Sequence, residues 1–518
     1  MPDGGAVAVI GNGPVGQTTA LLLARWGVPV ILLDRRPARD VVGSKSICQQ
    51  RDVLDIWASV GADRIAREGL AWTTARTFYR DRELFSWTFA DPGRSALPPC
   101  VNISQSRTEA ILDDCIAAQP LIDVRWGCEV TAISQDDAGV TLTCDAGPVR
   151  VEYAVLCAGA RAESLRRHLG ITFTGESFDD RFLICDIRAI LPGRETERRF
   201  FFDPVWNPDR QVLIHPCPDS TYRIDWQVPA DFDADAERAD GRLDARIRHV
   251  IGDRPYELEW QSVYRFQSRC VDRMRAGRVL LAGDCAHLYA PFGARGLNSG
   301  VPDAENAAWK LAFVLHGWAP PELLETYHVE RHAAALENLA VTSATMRFLV
   351  PPDEEHWVRR RALLDAAVSD PAKVAEVDSG RFAEPFWYVD SPLTTPDPTR
   401  PFGGRPTRGQ LPMPGPGIIV PDTPVTGGSR LRELVRDGLL LLTTTGTAEL
   451  PTSAPHRTLS LTKLGVDPAI LGARPGEAWL LRPDGYVAAV LPDPTPRSVA
   501  AAVRRTLSQP APPSPSPR

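Results

Sequence analysis

A short apolar run that breaks into a glycine loop, Ile10-Gly11-Asn12-Gly13-Pro14-Val15-Gly16, constrains this chain more than any other feature. Residues 7–10 have the unbroken apolar character of a buried strand, residues 14–26 place apolar side chains at helical spacing, and residues 28–33 form a second buried strand. The pattern is a βαβ unit. The three glycines do different things. Gly11 permits the tight turn, Gly13 lets the backbone approach a pyrophosphate at the positive helix end, and Gly16 lets the helix pack close to the strand. Pro14 and Val15 open the helix, and Asp34, followed by Arg35, ends the next strand about twenty residues on, where a carboxylate can accept hydrogen bonds from a ribose. Dinucleotide binding follows, with FAD and NAD both still open.

Length and charge narrow the class. At 518 residues the chain should divide into two or three domains. Its net charge of -7 and its scattered Lys and Arg leave no electrostatic footprint for nucleic acid, which favours a small-molecule partner. All ten cysteines lie between Cys48 and Cys285 without CxxC pairs, so neither a disulfide framework nor a metal site is expected. Residues 1–5 carry no basic region, and no apolar stretch approaches the roughly twenty residues that span a bilayer. A soluble, cytoplasmic protein with no membrane partner is the expectation.

Beyond the first unit, residues 109–117 read as a helix, and 123–126, 129–134, 140–144, 149–157 and 278–282 as strands. Between 173 and 266 the pattern changes to strands at 181–188, 199–202, 211–215 and 221–228, joined by loops too short for crossover helices and therefore antiparallel. Residues 304–316 and 322–339 are helical, 390–416 is a Pro- and Asp-rich linker, and 509–518, nearly all Pro and Ser, is expected to be disordered.

A second motif selects the cofactor. Residues 278–282 end in Gly283-Asp284, followed by His287, Tyr289, Pro291 and the loop Gly293-Ala294-Arg295-Gly296-Leu297-Asn298-Ser299-Gly300 before a helix. Here the sequence resembles the FAD-dependent aromatic hydroxylases, the group A flavoprotein monooxygenases of the para-hydroxybenzoate, 3-(3-hydroxyphenyl)propionate and phenol hydroxylase type. The resemblance implies that Asp284 holds the ribityl chain and that Gly283, Pro291, Gly293, Gly296, Leu297 and Asn298 surround the flavin. Backbone N–H groups opening a helix suit the N1–C2=O edge, where negative charge collects on reduction. Lys45, where the family often has a basic residue near the phosphates, and Gln105 complete the implied cofactor set.

The implied fold class is α/β: a Rossmann-like FAD-binding domain interrupted by a β-rich substrate domain, plus a C-terminal thioredoxin-like domain. The corresponding boundaries are 1–72, 101–172 and 262–345 for the FAD-binding domain, and 73–100 and 173–261 for the substrate domain. A helical segment and linker occupy 346–400, and the thioredoxin-like unit 401–508 carries no CxxC. That unit is assigned a structural or oligomer-contact role, compatible with a homo-oligomer.

The implied reaction hydroxylates an aromatic, phenolic or polyketide-like small molecule with NADPH or NADH and O2 through a flavin C4a-hydroperoxide. Such chemistry requires a dry pocket. Candidate substrate contacts are Phe202, Arg223, Trp226 and Gln227, and candidate catalytic groups are His215, Tyr289 and Pro291. Alternation puts Tyr222, Ile224, Trp226 and Val228 on one strand face and Arg223, Asp225 and Gln227 on the other, with the flavin-facing side undetermined. One departure stands out, because Ala158 occupies the position of a family carboxylate, leaving Arg161 and Arg166 as candidate phosphate contacts for the pyridine nucleotide. An oxidase, a dehydrogenase, a Baeyer–Villiger enzyme and a non-catalytic FAD-binding protein are the alternatives on the same scaffold.

Overall fold

The computed structural model describes residues 5–40, 46–89, 91, 93–407, 410–445 and 449–510. The expected disordered tail falls mostly at 511–518, outside the described residues, as does Lys45. The glycine loop sits at the end of Val7–Ile10, which lies inside a six-stranded sheet with Tyr153–Leu156 on one side and Val30–Asp34 on the other, both parallel to it. These strands are buried along their whole length because helices cover the sheet, which is why they read as unbroken apolar runs. The helix Pro14–Arg25 starts on a proline, whose missing N–H costs nothing there, and packs on the long helix Arg295–Leu315.

The close fit of the loop is measurable. A Cβ on Gly16 would stand 1.8 Å from the Gly11 carbonyl oxygen, and one on Gly11 would stand 2.4 Å from the Cys157 carbonyl oxygen. Gly11 also has φ +110°, a region open mainly to glycine.

The β-rich part is an eight-stranded sheet in the order His287–Leu288, Tyr256–Val271, Phe173–Ala189, Thr221–Val228, Gln211–Pro216, Glu197–Phe202, Thr74–Tyr79 and Arg82–Thr88. Its strands pair antiparallel as expected, except that Glu197–Phe202 runs parallel to Thr74–Tyr79, which recruits the early hairpin into the insertion. The expected boundary at 261/262 falls inside a single strand, Tyr256–Val271, which pairs along its whole length with Phe173–Ala189 in the eight-stranded sheet. One face of the sheet packs Tyr222, Ile224, Trp226 and Val228 against the helix Arg242–Ile251. The other face packs Phe182, Phe200, Phe202 and Leu213 toward Ala290 and Phe292, just before the loop of residues 293–300.

Two further readings change. Residues 149–157 form two strands, Val149–Val151 and Tyr153–Leu156, which join different sheets. The expected linker at 390–416 is tied down in part: Leu393 and Thr394 are buried, and the Thr395 N–H donates to the Ala488 carbonyl at 2.7 Å. Beyond it stands a four-stranded sheet in the order His456–Ser460, Leu439–Thr443, Ala478–Leu481 and Val487–Leu491, flanked by the helix Pro496–Thr506. Gly485, at φ +81°, makes the hairpin turn. Among the described residues no helix is long and apolar enough to cross a membrane.

Candidate active site

One cleft of about 720 Å³ runs between the dinucleotide sheet and the β-rich sheet. Its first end is built by the glycine loop. Gly11, Gly13, Pro14, Val15, Asp34 and Arg35 line it, and Gln105 and Asp284 close the side. A Cβ on Gly13 or on Gly296 would meet no atom within 4 Å, so both backbones border open space. The helices Pro14–Arg25 and Arg295–Leu315 both begin at this cleft without a side-chain cap among the described residues. Two sets of unpaired N–H groups and two positive helix ends therefore face one space, as a pyrophosphate and an electron-rich flavin edge require. The residues fit FAD.

The flavin loop is held in an unusual shape. Ala294 adopts a left-handed conformation at φ +56°, strained for a residue with a Cβ, and thereby turns the helix end into the cleft. Pro291, Gly293, Gly296 and Leu297 line the cleft, whereas Gly283 and Asn298 do not. Asn298 acts as a staple, donating to the Cys48 and Ala294 carbonyls at 2.9 and 2.6 Å and accepting from the Gln50 N–H at 3.0 Å. Gly283 lies against Val15, and its N–H donates to Asp303 at 3.0 Å. Gly16 likewise packs behind the wall.

Asp34 differs from the sequence-based picture. Its carboxylate accepts from the Asn12 N–H at 2.8 Å, the Arg36 N–H at 2.9 Å, and Arg36 Nε and Nη2 at 3.0 and 2.9 Å. These four bonds use its lone pairs, so a ribose hydroxyl reaches it only by displacing the guanidinium. Burial opposes its charge, yet the Arg36 and Asn12 bonds hold its carboxyl below the ordinary aspartate range. Arg166 is also committed, donating to the Cys285 carbonyl at 3.1 Å and lying 4.1 Å over the Phe173 ring, while Ala158 and Arg161 line the cleft.

The second end is a ring-sized chamber. Phe182, Ile184, Leu213, Phe266, Phe292 and Phe382 supply apolar walls, and Arg198, His215, Arg223, Asp225 and Tyr289 supply polar ones. The strand face left open by alternation is thus settled by the fold: Arg223 and Asp225 look into the cleft. Trp226 points the other way, into the core beneath Arg242–Ile251, and does not line the site. Phe202 is sealed beneath Phe348, 5.8 Å away, and Gln227 is spent on Asp180 at 2.5 Å and on the Gln211 N–H at 3.3 Å. Neither lines the cleft.

Charges in the chamber are unevenly satisfied. Arg223 forms a two-pronged bond to Asp186, 2.8 Å on each arm. His215 Nε2 stands 3.7 Å from Asp225 Oδ2, while His215 Nδ1 and Asp225 Oδ1 have no hydrogen-bond partner among the described residues. Burial, together with the charges of Arg198 and Arg223, drives the His215 imidazole well below its ordinary value and keeps it neutral. Burial also pushes the Asp225 carboxyl up to about 7, against the pull of Arg223. Tyr289 stacks on His287 at 4.8 Å, and burial raises its hydroxyl well above the ordinary value. His287 itself stands behind the wall, 2.6 Å from Asp303 and fully enclosed.

Sequence reasoning missed Arg198, Leu213, Asp225 and the phenylalanine walls as site residues. For Asp225 a signal existed, since alternation already placed it beside Arg223. For Phe382 there was none, because it comes from a stretch without regular structure.

A family model described as an FAD binding domain matches residues 5–342, and one described as the C-terminal part of aromatic-ring hydroxylases matches residues 413–510. The 3-(3-hydroxy-phenyl)propionate/3-hydroxycinnamic acid hydroxylase of Mycobacterium sp. (strain JLS) is 29% identical over 77% of this chain and 70% of its own length. A flavin-dependent monooxygenase of Mycobacteroides abscessus is 33% identical over 65% of this chain and 73% of its own. The crystal structure of the flavin-dependent monooxygenase PieE with FAD and substrate covers 98% of this chain and 100% of that one, with a TM-score of 0.83 at 23% identity, a likeness of fold. With the glycine cradle, the flavin loop and both family models on one chain, the protein belongs to the FAD-dependent aromatic-ring hydroxylases, a family of monooxygenases.

Proposed function

We propose that the protein hydroxylates a phenolic ring substrate, of single-ring or polyketide-like size, with NADPH or NADH and O2. The carrying observation is that one cleft joins the glycine cradle at the two uncapped helix ends to a chamber walled by phenylalanines. Bound FAD, reduced by the pyridine nucleotide, supplies an activated oxygen to the ring. The protein's own part is to hold, orient and keep dry. The Gly11 to Val15 backbone and Asp284 receive the cofactor's polar middle, Gly293 to Leu297 receive its reacting edge, and Pro291 and Tyr289 shape the passage between cofactor and ring. Arg161 at the cleft rim is the proposed phosphate contact for the incoming nucleotide. The relative named for hydroxyphenylpropionate and hydroxycinnamate supports a phenolic substrate.

The C-terminal unit is proposed to be thioredoxin-like, supported by one parallel and two antiparallel strand pairs in a four-stranded sheet. With no cysteine after Cys285 it has no dithiol chemistry, and its part is structural. A panel of aromatic compounds, scored as NADPH consumed minus hydrogen peroxide released, tests the function. A phenol for which the difference is large, with label from 18O2 in the product, is the expected result. Label-free oxidised product would turn the reading to a dehydrogenase or oxidase.

A further inference from the structure

Phe382 comes from a stretch without regular structure, yet its place is fixed from two sides. Its backbone is tied to the flavin loop. The Ala383 N–H donates to the Gly293 carbonyl at 2.7 Å, and Arg295 Nη2 donates to the Arg381 and Phe382 carbonyls at 3.0 and 3.2 Å. The two segments lie so close that a Cβ on Gly293 would strike the Arg381 carbonyl oxygen. Its ring is tied to the early hairpin of Thr74–Tyr79 and Arg82–Thr88, where it meets Trp72, Trp87 and Phe89 edge on, with centroids 5.3, 5.4 and 5.5 Å away. The Arg198 guanidinium lies 5.2 Å from its centroid, over the ring. Contacts of this kind are directional and hold an aromatic ring in one orientation.

Phe382 lines the chamber, whereas Trp72, Trp87 and Phe89 stand outside it. The ring is therefore a partition between the chamber and an aromatic cluster behind it. Trp87 and Phe89 are half-buried, and Arg82–Thr88 is the edge strand of the eight-stranded sheet, so the cluster borders the surface.

We propose that Phe382 is the specificity-determining residue for ring count: it closes the chamber to one ring and excludes a second, fused one. The inference rests on the hydroxylase reading above and narrows its substrate to single-ring phenols. The physical ground is that this wall is anchored to the flavin loop itself. The bonds at Gly293 and Arg295 set Phe382 against the loop that receives the reacting edge of the cofactor, so the reach from that edge to the wall is fixed by the fold. A fused ring aligned for reaction would have to displace Phe382, and with it the edge contacts to three aromatic residues. Such a wall discriminates by overlap rather than by attraction.

The experiment compares, on the holoenzyme, the best coupled single-ring phenol of the panel with naphthol. It reads the ratio of their kcat/KM values, and the Kd of each from the flavin absorbance change on binding. The ratio is taken within one preparation, so a lower FAD content or a smaller folded fraction cancels from it. The wild type should favour the single ring by ~10-fold or more, and Phe382→Ala should move the ratio toward naphthol by ~10-fold or more, with a matching fall in the naphthol Kd. Phe382→Leu, which keeps the core filled, should give a smaller step in the same direction, and it carries the test where the alanine variant does not fold. A ratio that stays the same in the variants, or a wild type that takes naphthol as readily as the single ring, would overturn the assignment while leaving the hydroxylase reading in place. A panel with no coupled phenol at all would overturn the hydroxylase reading and this assignment with it.

Discussion

At the seam beneath the C-terminal domain, Arg430 reaches Asp55 and Asp422, Arg436 reaches Asp55 and Glu305, and Arg482 reaches Glu330 and Asp484. In the cleft, His215 Nδ1 and Asp225 Oδ1 are buried without a hydrogen-bond partner, and two helix ends carry no side-chain cap, among the described residues. Both regions bury charge. The seam sets each of these charges against an opposite one within the chain, and so works as structure, while the cleft leaves two helix ends for what binds there. Burial of a charged residue alone therefore does not mark a functional site; what sets the cleft apart is the open space that its residues line.

The largest effect should come from breaking the seam. Arg482 is fully buried, bonds Glu330 Oε2 at 2.9 Å, and shares Glu330 with Lys310, 2.6 Å away. Arg482→Met leaves Glu330 and Asp484 short of charge compensation and should cost ~3–5 kcal/mol in urea unfolding. A loss below ~1 kcal/mol would mean that the seam is dispensable.

The glycine loop separates packing from binding. Gly16→Ala forces a Cβ onto the Gly11 carbonyl and should destabilise by about 1–3 kcal/mol and release FAD on gel filtration. Gly13→Ala points into empty space, so it should fold normally and weaken FAD alone. Identical melting losses in the two variants would dissolve that distinction.

The cleft has a pH signature. Asp225 is raised in the folded protein from 3.8 to about 7, so the stability it contributes is present below its unfolded value and is lost as pH rises through about 7. Asp225→Asn removes that dependence. The variant should match the wild type at acid pH and exceed it by about pH 8, on the order of 1–2 kcal/mol after screening by water in the cleft. Melting curves across that range check the sign, and a gap that narrows as pH rises would refute it. The smallest effect is expected from Trp226→Phe, which repacks the face away from the cleft and should leave KM for the best phenol unchanged. A shifted KM would show that this face senses the substrate.

Much of this is legible in the residues alone. The glycine loop implies a dinucleotide because close backbone approach and a helix opening leave a local, short-range trace, and the Gly283-Asp284 segment implies a flavin through the family it resembles. Strand alternation, also local, separates Tyr222, Ile224, Trp226 and Val228 from Arg223 and Asp225. Long-range packing leaves no such trace: the parallel pairing of Glu197–Phe202 with Thr74–Tyr79, the saturation of Asp34 by Arg36, and the role of Asn298 as a staple all depend on residues far apart or on competing partners.

By itself, then, the sequence determined the βαβ entry, the β-rich insertion and the absence of dithiol chemistry in the C-terminal unit, because each is written in spacing or in residue type, and it pointed to the flavin loop by resemblance to a family. Only the tertiary structure decided which face of the Thr221–Val228 strand meets the flavin side. A strand has two faces of equal standing until one is covered, and the helix Arg242–Ile251 covers the apolar one. That choice buries Trp226, turns Asp225 toward His215, and makes a cleft wall of a polar stripe that composition alone would assign to solvent.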